Sequence, residues 1–342
     1  MKTGMMPIEK EFTLLKNLPV GMAYEGGSLE AWQEKARSQL KTLLGLPYEK
    51  AAPDVEIEFV KEHETFRETR FTFESEPGYR VPCHLLQPIE KANEALPVMI
   101  CLQGHSTGMH ISLGRALYEG DADNMEDGDR DFALQCIRQG ICAVTLEQRG
   151  FGERGGSPRP NCYGIAMDAI LQGRTLIGAR VWDIMRLIDV LETDFSDAVD
   201  TKRVYCFGNS GGGTATFYAA ALETRIVAAM PSCAFCTFAD SIGAMYHCAC
   251  NFVPGIRNYF DMAELAGMIA PRPLVIVSGA EDGIFPLSGA KSEFARVKDI
   301  YYANSAAPGN VTHVIGPAGH RFYADQGWKA FRLLTKDFAP AT

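Results

Sequence analysis

The chain has 342 residues, 46% hydrophobic and 22% charged, which excludes intrinsic disorder and supplies enough apolar material for one large core. Lysine and arginine number 33 against 42 acidic residues, a formal charge of −9, and no basic block occurs, which argues against nucleic acid and anionic membranes as partners. No stretch approaches the roughly 18 apolar residues of a spanning helix, and MKTGMMPIEKEF has no apolar run of signal-peptide length, so a cytoplasmic location is expected.

Residues 1–54 read as a helical lead-in, because Leu29, Trp32, Ala36, Leu40, Leu43 and Leu44 share one helical face and Pro47 and Pro53 end it. Strand-like segments follow at 55–60, 69–74 and 80–87, in the alternating pattern of an antiparallel, half-exposed sheet. After Pro97 the chain switches to short apolar runs at 98–102, 141–146, 203–208, 226–231, 273–279 and 311–316. Helix-length amphipathic segments separate them, at 131–139, 175–192, 212–223, 262–269, 288–302 and 326–338. Continuous apolar strands alternating with helices predict an α/β fold: a mostly parallel, doubly wound sheet covered on both faces. The expected organisation is thus a lead-in (1–54) and one α/β domain (55–342). Two segments fit no regular element: 150–163, rich in Gly and Pro, and 233–260, rich in aromatics, Met and Cys. The second is a lid-like insertion where an open sheet holds its ligand crevice.

The sharpest chemical signal is Gly208-Asn209-Ser210-Gly211-Gly212, between the strand RVYCF and the helical run TATFYAAAL. A serine on so tight a strand-to-helix turn needs glycines two residues to either side and stands its hydroxyl above the sheet. Such a hydroxyl requires a base, and the base requires an orienting carboxylate. In chain order these are Asp282, just after the run PLVIVSG, and His320, just after VTHVIG. Glu281 is the alternative acid, whereas His313, inside a strand, reads as a packed residue. Asp261 reads as a helix cap and Asp240 as a surface residue. An anion forming on an attacked carbonyl would meet the backbone N–H of Gly211 and that of His105, in the loop Gln103-Gly104-His105-Ser106-Thr107-Gly108.

The stretches GNSGGG, APRPLVIVSGAEDGIFP and GPAGHRF resemble the α/β-hydrolase superfamily, in particular its bacterial acetyl xylan esterase-like and dienelactone hydrolase-like branch. The resemblance spans about residues 97–338, and HCACNFVPG (247–255) is similar to a stretch of that branch. It implies an α/β-hydrolase fold with Ser210 as nucleophile, Asp282 as acid, His320 as base and Gly211 and His105 as oxyanion donors. It also implies short-chain acyl esters, acetyl above all, possessed by a carbohydrate or similar alcohol. The branch often has His-Gly where this chain has Gln103-Gly104, and a dienelactone hydrolase uses a cysteine nucleophile, against which Ser210 argues.

Weaker patterns carry less. Gly150-x-Gly152-x-x-Gly155 has the letters of a dinucleotide fingerprint, but Ser157-Pro158-Arg159-Pro160 cannot open the required helix, so no cofactor is expected. Glu147-x-Arg149-Gly150 reads as a structural ion pair. The acidic run 121–131 misses the EF-hand register and reads as a solvated loop. Ten cysteines without a secretory signal suggest reduced thiols. Cys233, Cys236, His247, Cys248 and Cys250 have zinc-ligand chemistry, yet their spacing and apolar surroundings favour thiols lining the insertion, with no metal. Phe235, Phe238, Tyr246 and Phe252 are expected to wall a substrate pocket. The reading is therefore a cofactor-free serine carboxylesterase acting on a small-molecule ester, with homo-oligomer formation left open. A small-substrate peptidase or amidase and a non-catalytic binding protein on the same scaffold are the rivals.

Overall fold

In the computed structural model, which describes residues 5–155, 158–303 and 308–336, nine strands form one sheet. They are β1 (Glu56–Glu62), β2 (Phe66–Glu76), β3 (Tyr79–Pro88), β4 (Leu96–Leu102), β5 (Cys142–Leu146), β6 (Val199–Asn209), β7 (Ile226–Ser232), β8 (Leu274–Gly279) and β9 (Val311–Gly316). The order is β1-β2-β3-β5-β4-β6-β7-β8-β9. Pairing is antiparallel from β1 to β5 and parallel from β5 through β4 to β9. This is the α/β architecture with antiparallel N-terminal strands that the hydrophobic pattern predicts.

Ten helices accompany the sheet among the described residues: α1 (Pro7–Asn17), α2 (Leu29–Leu44), α3 (Asp121–Glu126), α4 (Phe132–Arg138), α5 (Tyr163–Leu171), α6 (Leu176–Asp194), α7 (Gly211–Leu222), α8 (Met262–Gly267), α9 (Leu287–Ala303) and α10 (Ala324–Thr335). Residues 337 and 338, expected at the end of the last helix, lie outside the described residues. Alternation along the central strands feeds two cores. Val98, Ile100 and Leu102 join Val204 and Cys206 on the face covered by α6 and α7, while Met99 and Cys101 join Tyr205 and Phe207 against α4 and α10. Strands buried on both faces must be apolar throughout, which is why their sequence runs are unbroken.

The helix of the lead-in shares the first core. Ala36, Leu40 and Leu44 of α2 are fully buried there, and Arg37 donates to the carbonyls of Ala221 and Met268 at 2.9 and 2.6 Å. Ser28 caps α2 by accepting from the Ala31 N–H, and Gly45 ends it at φ 74°, in the left-handed region. Two expectations are corrected. The acidic run is not all solvated loop: α3 opens on Asp121, which is fully buried and accepts from Thr107 Oγ1 at 2.5 Å, from His110 and from two backbone N–H groups. These bonds replace the water that a buried carboxylate loses. Nor is β1 half exposed, since as an edge strand it is exposed along its whole length.

Candidate active site

Ser210 follows β6 directly and opens α7, with φ 55° and ψ −122°. A non-glycine residue held in that conformation is strained, and its surroundings hold it there. Its N–H donates to the Ser232 carbonyl and its own carbonyl accepts from the Thr214 N–H, both at 2.8 Å. The flanking glycines are a spatial necessity. A Cβ on Gly208 would lie 2.5 Å from the Gly212 carbonyl, and one on Gly212 would lie 2.1 Å from the Leu102 oxygen.

Asp282 and His320 come from the turns after β8 and β9, at the same end of the sheet, and are bonded to each other. His320 Nδ1 lies 2.8 Å from Asp282 Oδ2, while Asp282 Oδ1 accepts from the N–H groups of Ile284 and Phe285 at 2.8 and 3.1 Å. Burial alone would push the Asp282 carboxyl up; the His320 bond and charge, with those N–H groups, hold it below its ordinary value. The alternative acid, Glu281, is exposed. His313 sits in β9 bonded to Ser278 Oγ at 2.9 Å and packed on Phe294, which is the packed role its strand position suggested. Asp261 caps α8, and Asp240 accepts from Thr237 Oγ1 at 2.8 Å, half-buried.

Ser210 and His320 line one cavity of about 280 Å³, together with His105, Arg130, Ile284 and the insertion residues Met245, Tyr246, His247 and Cys248. Among the described residues no hydrogen bond joins the Ser210 hydroxyl to His320; in unliganded sites such bonds are often long and tighten with substrate. Of the four aromatics expected to wall the pocket, only Tyr246 is there. Phe235 and Phe238 are buried in the main core, because the insertion folds its first turn inward, and Phe238 and Phe252 border a separate cavity beside α1.

The loop after β4 passes close over the serine: a Cβ on Gly104 would stand 2.9 Å from Ser210 Cβ, and one on Gly211 would stand 2.9 Å from the His105 ring. Gln103 secures this loop, donating to Ser112 Oγ and to the Arg130 carbonyl, each at 2.7 Å, while its own carbonyl accepts from Gln148 at 2.5 Å. Glu147 also serves the loop and is not the partner of Arg149. It accepts from the Met109 and Glu153 N–H groups, and burial pushes its carboxyl up to about 7. Arg149 instead pairs with Asp183 through two bonds, at 2.9 and 2.6 Å, and with Glu76 at 2.7 Å. The ion pair read into Glu147-x-Arg149 is thus replaced by two separate arrangements.

Sequence reasoning passed over two features. Arg130 lines the cavity half-buried, its Nε without a hydrogen-bond partner and no carboxylate paired with it among the described residues. Burial lowers the pKa of this guanidinium. The cysteines also group differently from the set Cys233, Cys236, His247, Cys248 and Cys250 weighed above. Cys236 packs toward Pro286, and Cys233 sits beside Asp282 and His320. Cys248 and Cys250 instead meet Cys162 and His105. The only sequence signal for that grouping was the tight Cys248-x-Cys250 spacing, since Cys162 and His105 are far away in the chain.

The chain matches the model of the Abhydrolase family over residues 18–173 and that of fungal glucuronyl esterase over residues 135–235. YtaP of Bacillus subtilis (strain 168), which bears a hydrolase name, is 26% identical over 304 residues, covering 88% of this chain and 98% of that protein. The 4-O-methyl-glucuronoyl methylesterase of Phanerochaete carnosa (strain HHB-10118-sp) is 28% identical over 184 residues, 45% of this chain and 44% of its own length. Among solved structures, a Bacteroides fragilis NCTC 9343 protein assigned as an acetyl xylan esterase superposes with a TM-score of 0.76 at 15% identity, covering 98% of this chain and 92% of its own. The glucuronoyl esterase from Solibacter usitatus gives 0.70 at 15% identity, covering 94% and 99%. At such identities the structural likeness speaks for the fold.

Proposed function

We propose that the chain is a carboxylic ester hydrolase of the α/β-hydrolase superfamily, in its acetyl xylan esterase-like branch, a reading that its matches to hydrolase and esterase families support, and that it cleaves short acyl esters of carbohydrates, acetyl above all, with Ser210, His320 and Asp282 as a triad. The observation that carries this reading is Ser210 on its strained turn, sharing a cavity with an imidazole held by a buried carboxylate.

Substrate binding brings the Ser210 hydroxyl within reach of His320 Nε2, because Asp282 occupies Nδ1 and leaves the other nitrogen facing the cavity. Ser210 Oγ attacks the ester carbon as His320 takes its proton. The resulting oxyanion accepts from the N–H groups of Gly211 and His105, with the free end of α7 adding its positive potential. His320 then gives the proton to the leaving alcohol, forming an acyl-enzyme. A water molecule, deprotonated by the same imidazole, releases the acid and restores Ser210.

Arg130 favours a second reading of the substrate. A partly desolvated guanidinium beside the nucleophile, with no acidic partner among the described residues, suits an ester whose neighbourhood carries carboxylate or carboxyl-derived oxygens, as in a uronic acid ester. The relatives named for glucuronoyl ester cleavage support keeping that substrate class in view.

The test is a substrate panel: aryl acetates and longer aryl esters, acetylated xylose derivatives, methyl glucuronate and an amino-acid anilide. The proposal expects the highest kcat/KM on acetyl esters, falling as the acyl chain lengthens. Preference for methyl glucuronate would move the assignment to uronic esters, and faster anilide cleavage would overturn the esterase reading in favour of an amidase.

A further inference from the structure

At the loop that passes over Ser210, three sulfurs and an imidazole converge from segments distant in sequence. His105 lies in the loop after β4, Cys162 immediately precedes α5, and in the insertion Cys248 caps a single helical turn (Ala249–Asn251) that contains Cys250. Their ligand atoms all lie within 4.8 Å of one another, with His105 Nε2 3.2 Å from Cys250 Sγ. We propose that His105, Cys162, Cys248 and Cys250 bind one zinc ion.

The donor set is three thiolates and one imidazole, a combination common in structural zinc sites. With zinc–sulfur bonds of about 2.3 Å, sulfurs at the corners of a tetrahedron stand about 3.8 Å apart, so the observed cluster needs to contract by only about 1 Å at most. The four donors leave no open coordination position, and the ion's role is therefore structural.

The surroundings supply an independent argument from charge. Arg180 of α6 is fully buried, lies 3.3 Å from Cys162 Sγ and packs over the Phe151 ring. Its other hydrogen bonds go to the Arg149 carbonyl, Nη1 has no hydrogen-bond partner, and no carboxylate pairs with it among the described residues. A buried cation without an anion is costly. Zinc with three thiolates and a neutral imidazole carries one net negative charge, which Arg180 neutralises. Binding the ion releases the three thiol protons to solvent.

The site would tie the loop that carries the His105 N–H to the segment before α5 and to the insertion bordering the cavity, fixing that N–H beside Ser210. Cys233, Asp282 and His320 form another close group, but there the carboxylate and imidazole already satisfy each other.

The experiment is metal analysis of the full-length protein purified without chelators. We expect about one zinc per chain in the wild type, in Ser210→Ala and in Cys233→Ser, and loss of it in Cys250→Ser. Wild-type protein reloaded with cobalt(II) should show intense sulfur-to-cobalt charge transfer and tetrahedral visible bands, a readout that does not depend on a variant folding. Titration in denaturant with chelator should find all ten thiols. Eight thiols would mean a disulfide, and absence of both zinc and the cobalt bands, or zinc retained by Cys250→Ser, would overturn the proposal. Because metal content is read separately from turnover, an inactive enzyme with full zinc would sink the triad assignment alone.

Discussion

Two groups of reactive side chains flank Ser210, and they balance charge in different ways. On the Asp282 side every polar atom of the acid has a protein partner: one oxygen meets His320 and the other two N–H groups. On the Cys250 side a buried guanidinium lies 3.3 Å from Cys162 Sγ of the three-sulfur group and, among the described residues, pairs with no acid. In the proposed mechanism the first flank therefore holds one charge, a cationic His320, while the reaction proceeds, because its counter-charge is fixed in place. The second calls for a permanent anion. The difference teaches that charge bookkeeping can separate groups built to change protonation from groups built to stay fixed.

The largest expected effects break the first flank. Ser210→Ala and His320→Ala should each lower kcat by about a millionfold, since members of such a unit fail together. Asp282→Asn should lower it by about ten-thousandfold through the wrong imidazole tautomer. Steady-state kinetics on an aryl acetate measures all three, and a drop below tenfold in any would remove that residue from the chemistry. Next in size is the loop between the flanks. Gly104→Ala sets a methyl group 2.7 Å from the Asn209 carbonyl oxygen and 2.9 Å from Ser210 Cβ, so kcat should fall far more than KM rises.

A smaller contrast separates the aromatics of the insertion. Phe235→Ala, in the core, should cost about 3–5 kcal/mol in urea unfolding without changing acyl-chain preference. Tyr246→Ala, wholly exposed at the cavity, should leave stability within about 0.5 kcal/mol and change KM. If Phe235→Ala shifted preference with stability intact, the assignment of the pocket wall would be wrong.

The smallest effect is a pH slope. Burial raises the Glu147 carboxyl from 4.5 to about 7, so the folded state holds that proton more tightly than the unfolded state. Its contribution is fully present below pH 4.5 and is lost as pH rises through about 7. Wild-type stability relative to Glu147→Gln should accordingly fall across that window and then level off. Urea midpoints at several pH values check this, and a relative rise would contradict it.

The parallel half of the sheet was legible because strands buried on both faces cannot be anything but apolar, and their runs match β4 to β9 within a few residues. The positions of the three proposed triad residues followed from the same logic, as each sits just past one of those strands. What was not legible depended on contacts between distant segments. Nothing local in Asp121 announces that it will be buried under Thr107 and His110. Phe235 and Tyr246 look alike in sequence, yet one turn of backbone sends the first into the core and the second to solvent. Cys162 and His105 become neighbours of Cys250 only once β5, β4, β6 and β7 are ordered in one sheet with the segments that follow them at one end.

The most direct test of the central claim is to label the enzyme with a fluorophosphonate and locate the adduct by peptide mass spectrometry. The account predicts one adduct per active chain, on Ser210, abolished in Ser210→Ala and strongly slowed in His320→Ala. An active enzyme that takes no label, or takes it on another residue, would contradict it.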